Sequence, residues 1–533
     1  MSFSAASRFA ALAPLTDPGF RVLWSVWLMA NTCMWMNDVA AAWLMTTLTD
    51  SPVMVALVQT ASTLPVFLFG LPSGALADSV DRQRMLLVTQ FWIALTASSL
   101  ALTVFAGAIS APLLLALTLV NGVALAMRWP VHSSLIPEIV PRPQLPAALA
   151  LSGVAMNASR ILGPTIAGVL IASLGTAWVF ATNAALAVIS GALLMRWRRP
   201  ARTSTLPGER LLTAMRVGVT YVRHSWRMRT ALLRTAVFFI HASALMALLP
   251  LVAKSMPDGS AGTYTALIAA MGLGAVLSVF LIPRWRRTIA HDAIIQRGSL
   301  VQAAMMLIVA NAPNLWVALP ALVINGVAWL TVANTISVSA QLALPNWVRA
   351  RGMALYQTAL MGSSAAGAAL WGQVATFTDI RTGICAAAAS GLVALWLTRR
   401  NRIGVPPSPD EVAPAGREPP APAPEDPNAG PVIATVEYRI DPALADAFES
   451  VMQETRRSRL GLGARSWTLQ RDPDTPGRYF ERIEDTSWTG MLRRYSRQTG
   501  ADEALRVRRH AFHLGDSPPS VTRTVGHRED TPG

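Results

Sequence analysis

Asn121-Gly122-Val123-Ala124 recurs as Asn325-Gly326-Val327-Ala328, 204 residues further along the chain. Carried through without a gap, the same offset sets Gly163 on Gly367, Gly168 on Gly372, Pro141 on Pro345, Gly70 on Gly274 and Arg82 on Arg286. Residues 20–400 therefore read as two copies of one unit, in the same order and orientation. Both copies are strongly apolar, the pattern of a membrane protein built from parallel repeats.

Composition agrees. Of 533 residues 52% are hydrophobic, the mean hydropathy is +0.40 and only 14% are charged, against about 25% in an ordinary soluble domain. The net charge of +15 does not point to nucleic acid, because the basic residues sit at the ends of apolar runs rather than on one face of a soluble domain. Lys254 is the single lysine; arginine carries the rest. Cys33 and Cys385 lie inside apolar segments, and two such residues define neither a disulfide framework nor a metal site. Arg8 and Arg21 precede a run too long for a signal-peptide core.

Twelve spanning segments are expected, at about 22–47, 52–77, 85–107, 112–137, 145–173, 176–195, 230–252, 262–283, 293–311, 315–341, 352–377 and 381–398. Arginines cluster in alternate loops: Arg82 and Arg84; Arg142; Arg196, Arg198, Arg199, Arg202 and Arg210; Arg284, Arg286 and Arg287; Arg349 and Arg351; Arg399, Arg400 and Arg402. The opposite loops carry only Lys254 and Arg381. This asymmetry places both termini in the cytoplasm. The fold expected is an all-α membrane protein, twelve helices in two six-helix parallel repeats, followed by a small α+β domain.

The domains expected are a first bundle at 1–195, a linker at 196–229, a second bundle at 230–400, a Pro-rich tether at 401–431 and a soluble domain at 432–530. Leu211, Leu212, Met215, Val219 and Val222 recur near helical spacing among arginines, so the linker reads either as an amphipathic helix on the inner membrane surface or as a plain basic connector. In the last domain, strands at 432–440, 464–470, 478–484 and 521–525 alternate with helices at 442–457 and 487–512, a β-α-β-β-α-β order of ferredoxin-like type.

The loop Gly74-Ala75-Leu76-Ala77-Asp78-Ser79-Val80-Asp81-Arg82-Gln83-Arg84 resembles the signature loop of the major facilitator superfamily. It departs from that pattern at Ser79, where a basic residue is usual, and at Asp81, where glycine is usual. Arg160-Ile161-Leu162-Gly163-Pro164-Thr165-Ile166-Ala167-Gly168 resembles the Gly-Pro motif in the fifth span of the superfamily's exporters. Arg128-Trp129-Pro130, 135–141, Asn157 and 347–351 look like its enterobactin-exporter-type branch, and 436–438, Trp467 and Ser487-Trp488 resemble a small antibiotic-biosynthesis-monooxygenase-like tail.

The resemblance implies a bacterial inner-membrane transporter with the major facilitator fold. Gly74, Asp78, Arg82 and Arg84 form a conformational latch. Gly163, Pro164 and Gly168 let a helix bend, with either directional meaning or simple close packing. Spans one, four, seven and ten line the cavity and contribute Met34, Trp35, Met36, Phe238, Phe239, Met246, Trp329 and Asn334, walls that suit large, partly apolar ligands.

Ionisable residues inside spans are costly and so are functional candidates. The first copy has Asp38, Arg128 and Arg160; the offset sets them on Ala242, Val332 and Ser364, and sets Asn37 on His241. At about 1.5 Å per residue, Asp38 lies roughly 25 Å and Arg160 roughly 22 Å from the inner ends of their spans, while Arg128 lies only about 14 Å in. Asp38 and Arg160 are therefore expected to pair, either as a proton-exchange switch or as a static ion pair. His241 is a second proton candidate or a plain helix-to-helix hydrogen bonder. Phosphate-loop spacing is absent and the chain has a single lysine, so energy should come from an ion gradient, with protons the expected ion. The expected partners are a small siderophore-like or drug-like molecule, protons and lipid, with a dimer possible through the tail and with no cofactor, metal, catalytic residue or nucleic acid. The rival is a membrane-anchored enzyme or sensor working through the tail, where His510, His513 and His527 stand near Trp467 and Trp488.

Overall fold

The computed structural model describes residues 12–79, 81–197, 211–257, 259–345, 347–404, 430–515 and 517–526. The chain forms two compact units. One comprises Met1–Pro207, Leu232–Ile336 and Tyr356–Arg402, the other Gly208–Ala231, Ser337–Leu355 and Ile403–Gly533.

Long apolar runs become helices because only a helix satisfies its own backbone in hydrocarbon. The first copy supplies α1 (Pro18–Leu48), α2 (Pro52–Ser79), α3 (Arg82–Phe105), α4 (Ala111–Ile139), α5 (Leu145–Ser173) and α6 (Thr176–Arg196). A shorter helix, α7 (Leu211–His224), precedes the second copy: α8 (Trp226–Ser255), α9 (Ala261–Thr288), α10 (His291–Ala310), α11 (Leu315–Leu342), α12 (Arg349–Phe377) and α13 (Ile380–Leu397). Each expected segment coincides with one of these long helices. Among the described residues ten helices are long and apolar enough to cross a membrane. α1 and α12 fall outside that set: α1 carries Asn31, Asn37 and Asp38, and α12 begins at Arg349 and Arg351.

Polar caps start the helices. Asp17 accepts from the Phe20 N–H at 2.8 Å, and Asp379 accepts from the Thr382 N–H at 2.9 Å. Asp81, one of the two residues that depart from the family loop, accepts from the Arg84 N–H at 2.8 Å and caps α3.

The glycines matched by the offset occupy matched crossings. A Cβ on Gly163 would lie 2.4 Å from Trp35 Cβ of α1; on Gly367 it would lie 2.2 Å from the Ile240 carbonyl of α8. On Gly168 it would lie 2.1 Å from Thr265 of α9; on Gly372, 2.4 Å from Ala56 of α2. Thus α5 lies on α1 and α9 as α12 lies on α8 and α2. A Cβ on Gly274 would lie 1.9 Å from the Val323 carbonyl and one on Gly326 2.0 Å from the Met271 carbonyl, so α9 and α11 meet equally closely.

At the end of the helices poor in arginine, one continuous core draws on both copies, from Leu44, Val55 and Leu100 to Leu248, Leu267, Met306 and Ile384. Lys254 of α8 straps this end, donating to the Thr46 carbonyl at 2.7 Å in the last turn of α1 and lying 3.2 Å from Asp50. At the arginine-rich end, the cluster of Phe20, Leu23, Met85, Leu135 and Leu194 contains first-copy residues alone.

In the second unit a four-stranded antiparallel sheet, β1 (Val432–Arg439), β2 (Ser466–Arg471), β3 (Arg478–Asp485) and β4 (Ser520–Val525), has the order β2-β3-β1-β4. Its helices are α14 (Ala445–Gly461), α15 (Trp488–Ser496) and α16 (Gly500–His510). The single helix expected over 487–512 is two. Thr499 breaks it: its N–H donates to Asp502 Oδ2 at 2.9 Å and Asp502 Oδ1 accepts from Ser458 at 2.6 Å, so a capping box starts α16 while tying it to α14. α7 packs on α14. Trp347, in the turn before α12, stands edge-on to Tyr221 of α7 at 5.5 Å and lies under Arg497 at 4.8 Å.

The crossings set a packing test. Gly274→Ala forces a methyl onto the Val323 carbonyl and is expected to lower stability by about 1–3 kcal/mol. Gly153→Ala meets nothing within 4 Å and is expected to be neutral or to stabilise by up to about 1 kcal/mol. Thermal unfolding of the two variants in detergent checks the difference.

Candidate functional site

The polar residues named from the sequence separate into distinct places. At the seam between the copies, the Arg160 guanidinium of α5 lies between two indoles: 5.3 Å from the ring centre of Trp35 on α1 and 4.9 Å from that of Trp329 on α11. Gly163, one turn on, is what lets α5 come this close to Trp35. Phe239 of α8 stands edge-on behind Trp329 at 5.8 Å and Phe238 edge-on to Phe239 at 5.3 Å. Among the described residues no acceptor or counter-ion reaches Arg160: its Nε and Nη1 are enclosed and unbonded, as is Trp35 Nε1.

Asp38 does not pair with Arg160. It is half-buried one turn beyond Trp35 and accepts from Ser62 Oγ of α2 at 3.0 Å. Height along the helix matched the two residues, but the turn of the helix aims Asp38 at α2.

Asn37 and Arg128 face the inside of the first bundle instead. They line a cavity of about 10 Å³ with Gln90, Asn121, Asn183 and Ser190, room for about one water. Arg128 is buried, reaches Asn31 Oδ1 at 3.5 Å and lies over Trp27 at 5.3 Å, where His132 stacks at 3.7 Å. His241 lines the corresponding cavity of the second bundle, about 40 Å³, with Arg234, Ser299 and Gln302. Its Nδ1 is 2.6 Å from the Val237 carbonyl. Asn334 is exposed and accepts from Arg286 at 2.7 Å.

Arg82 pairs with Glu138 of α4, and Arg84 is exposed. Gly74 and Asp78 fall within α2, but the Asp78 side chain lies outside the described residues. Pro164 sits inside α5 without ending it. Arg234, not singled out above, is buried and donates to the Asn401 carbonyl at 3.1 and 3.2 Å. The second copy therefore does hold a buried charge. Arg234 stands near the start of its segment, where sequence alone reads an arginine as a span-end anchor.

In the tail the buried charge is internally satisfied. Glu481, fully buried, accepts from Arg459 at 3.1 Å, Trp467 Nε1 at 3.0 Å and Tyr438 at 3.0 Å; Arg509 in turn donates to Tyr438 at 3.1 Å. Asp485 holds Arg494 through two oxygens at 2.8 and 2.9 Å. His513 Nδ1 accepts from the Arg439 N–H at 3.0 Å; burial and the Arg439 charge hold its imidazole below the usual histidine range. His527 lies outside the described residues. Among the described residues no group of three or more His, Cys, Asp or Glu could hold a metal.

The twelve long helices and the seam between their two copies are those of a multi-pass membrane transporter of the major facilitator type, not of an enzyme. The chain belongs to the transmembrane secretion effector family of that superfamily, whose model matches residues 9–531, tail included. It is similar to the uncharacterized MFS-type transporter YfiS of Bacillus subtilis (strain 168), at 28% identity over 35% of this chain and 45% of that one. It is also similar to the staphyloferrin A transporter of Staphylococcus aureus (strain NCTC 8325 / PS 47), at 20% over 47% and 63%. The matches thus span 45% of the length of the first relative and 63% of the second. Solved structures share the fold: a bacterial homologue of the human lysosomal transporter Spinster, inward-facing and occupied (TM-score 0.55, 16% identity, 73% of this chain and 96% of that one). A POT family transporter in complex with 5-aminolevulinic acid (0.60, 11%, 72% and 95%) and a D-xylose-proton symporter (0.56, 14%, 72% and 97%) do likewise.

The tail network carries a pH test. Burial pushes the Glu481 carboxyl up, but Arg459, Arg509 and the Trp467 N–H outweigh it and hold it below the usual carboxylate range. A depressed acid contributes stability that is fully present above its unfolded value, about 4.3, and is lost as pH falls through the folded value. Hydrogen exchange of the peptides spanning 432–526 in the full chain, corrected for intrinsic rates, is expected to show this acid loss of protection. Glu481→Ala is expected to cost about 3–5 kcal/mol by stranding Arg459.

Proposed function

We propose that this protein is a bacterial inner-membrane secondary transporter of twelve spans with both termini cytoplasmic, exporting a siderophore-like or drug-like small molecule in exchange for protons. The observation that carries the reading is Arg160 at the seam, covered by one tryptophan from each copy. A group held by both halves is exchanged between the two sides when the halves rock. The core shared at the arginine-poor end and the Lys254 strap there support a state closed outside and reachable from within. The staphyloferrin A transporter among the relatives supports a siderophore-like cargo.

Asp38 supports proton coupling. It is a half-buried carboxylate inside a span, with one hydroxyl partner and no counter-ion among the described residues. The presence or absence of a neighbouring cation sets the balance between the two protonation states of such a group. Rocking that changes its surroundings would load and unload a proton. The sheet order of the tail supports a ferredoxin-like domain, and its edge strand β4, with Val521 and Val525 exposed, supports association of two tails. The tail's buried carboxylates are all engaged within its core, which favours a structural or regulatory role over catalysis.

The test is dye and siderophore efflux from an efflux-deficient host, with and without an uncoupler. Wild type is expected to export in an uncoupler-sensitive way. Asp38→Asn is expected to lose about tenfold or more of that activity while reaching the membrane at normal level, a loss of the size that general acid–base groups commonly carry. Unchanged activity and pH response in Asp38→Asn would remove that residue from coupling.

A further inference from the structure

We infer, resting on the transporter reading, that Arg160, Trp35 and Trp329 form the recognition point for an anionic cargo, whose carboxylate or phosphate-like oxyanion fills the empty hydrogen-bond shell of Arg160. The buried arginines have acceptors: Arg128 has Asn31, Arg234 the Asn401 carbonyl, Arg459 Glu481, Arg494 Asp485, Arg497 the Leu462 carbonyl and Arg509 the Tyr438 hydroxyl. Arg160 has ring faces only. Each cation–π contact is worth about 0.5–2 kcal/mol, while removing a guanidinium from water costs several kcal/mol. Two indoles do not close that gap. A ligand that brings two oxygens does, and the guanidinium is the side chain best shaped to hold them as a pair.

The surrounding chemistry selects the sign. Arg160 and the Trp35 indole N–H are donors without acceptor capacity, and both lack acceptors here. Such a pair welcomes an acceptor-only group and repels a cation. Asp38, the carboxylate that would oppose an anion, is turned to Ser62. Arg160 is half-buried: its Nε and Nη1 are enclosed while the side chain stays reachable. The indoles also accept flat apolar surface next to the anion. Because Trp35 and Trp329 come from opposite copies, an anion seated here holds both halves at once, and separating the halves dismantles its site.

The test uses the full chain in lipid nanodiscs, with four probes followed by intrinsic fluorescence: citrate, inorganic phosphate, uncharged triethyl citrate and the cation tetraphenylphosphonium. Citrate, phosphate or both are expected to bind saturably at millimolar concentration, with the ester and the cation failing to compete. Preference for citrate identifies a carboxylate cargo and preference for phosphate a phosphoryl one. Arg160→Gln is expected to weaken anion binding about tenfold or more, the loss of a charge-assisted bond, and Arg160→Lys less. Trp329→Leu weakens it independently and serves if Arg160→Gln does not fold. The inference is overturned if the ester binds as well as the acid, if neither anion binds at millimolar concentration, or if a folded Arg160→Gln binds as wild type does. Anion binding that fails while uncoupler-sensitive efflux persists removes this inference alone; anion binding that persists without efflux removes the transport reading alone.

Discussion

The close contact of α5 with α1 at Gly163 governs much else. With hydrogen in place of a methyl, the two backbones meet beside Trp35, and the indole is pressed to where Arg160, one turn earlier on α5, can lie against it. The same contact recurs between α12 and α8 at Gly367, but there the copy carries Ser364 where the first has Arg160. One geometry is thus used twice, and charge was placed on it once. Inside a membrane, where apolar burial gives helices no preference for each other over lipid, such close contacts are the main source of packing energy. A side chain at Gly163 or Gly367 would separate helices within a copy, and one at Gly168 or Gly372 would separate helices across the seam.

The buried charges follow from that frame. Each bundle has a small polar cavity of its own, with Asn37 on one wall and His241 at the matched position in the other copy. Each also has a buried arginine on its rim, Arg128 in α4 and Arg234 in α8, but these stand at unmatched positions. The cavities are too small for a cargo and each is lined by a single bundle, whereas the seam at Arg160 is lined by both copies. Arg160 lies against an indole from each copy, whereas Arg128 and Arg234 have their described partners within their own copies.

How far the sequence could be read depends on which coordinate is asked for. Helix limits were legible because a run of twenty apolar residues has one way to satisfy its backbone in lipid. The duplication was legible because glycines at close crossings tolerate no substitute, so they survive at the same offset when neighbours diverge. Azimuth was not. Counting residues gave the height of Asp38 and Arg160, yet a helix turns about 100° per residue, and neighbours decide which direction faces what. Asp38 and Trp35 share a helix and nearly a height, but one meets α2 and the other α5. Arg234 escaped notice for a related reason: near a span's end an arginine reads as an interfacial anchor, and only tertiary structure shows it buried against the Asn401 carbonyl. The break at Thr499 was written in the chain as Thr-x-x-Asp, a capping box inside an otherwise continuous helical pattern.

The second unit has an economy of its own. Its sheet and helices enclose Glu481 with two arginines, a tyrosine and an indole, a set that leaves no oxygen idle. Such a core is costly to desolvate and gives little net stability, but losing any member strands the others. What it provides is a single arrangement. The outer side of that arrangement meets α7, the helix that lies between the two copies in sequence, and Trp347, in the turn that joins α11 to α12. Tyr221 stands edge-on to Trp347 and Arg497 lies over the same indole, so the tail, the linker helix and the turn share one aromatic joint. A rigid tail joined to two segments of the duplicated chain constrains their spacing, and a flexible one would not.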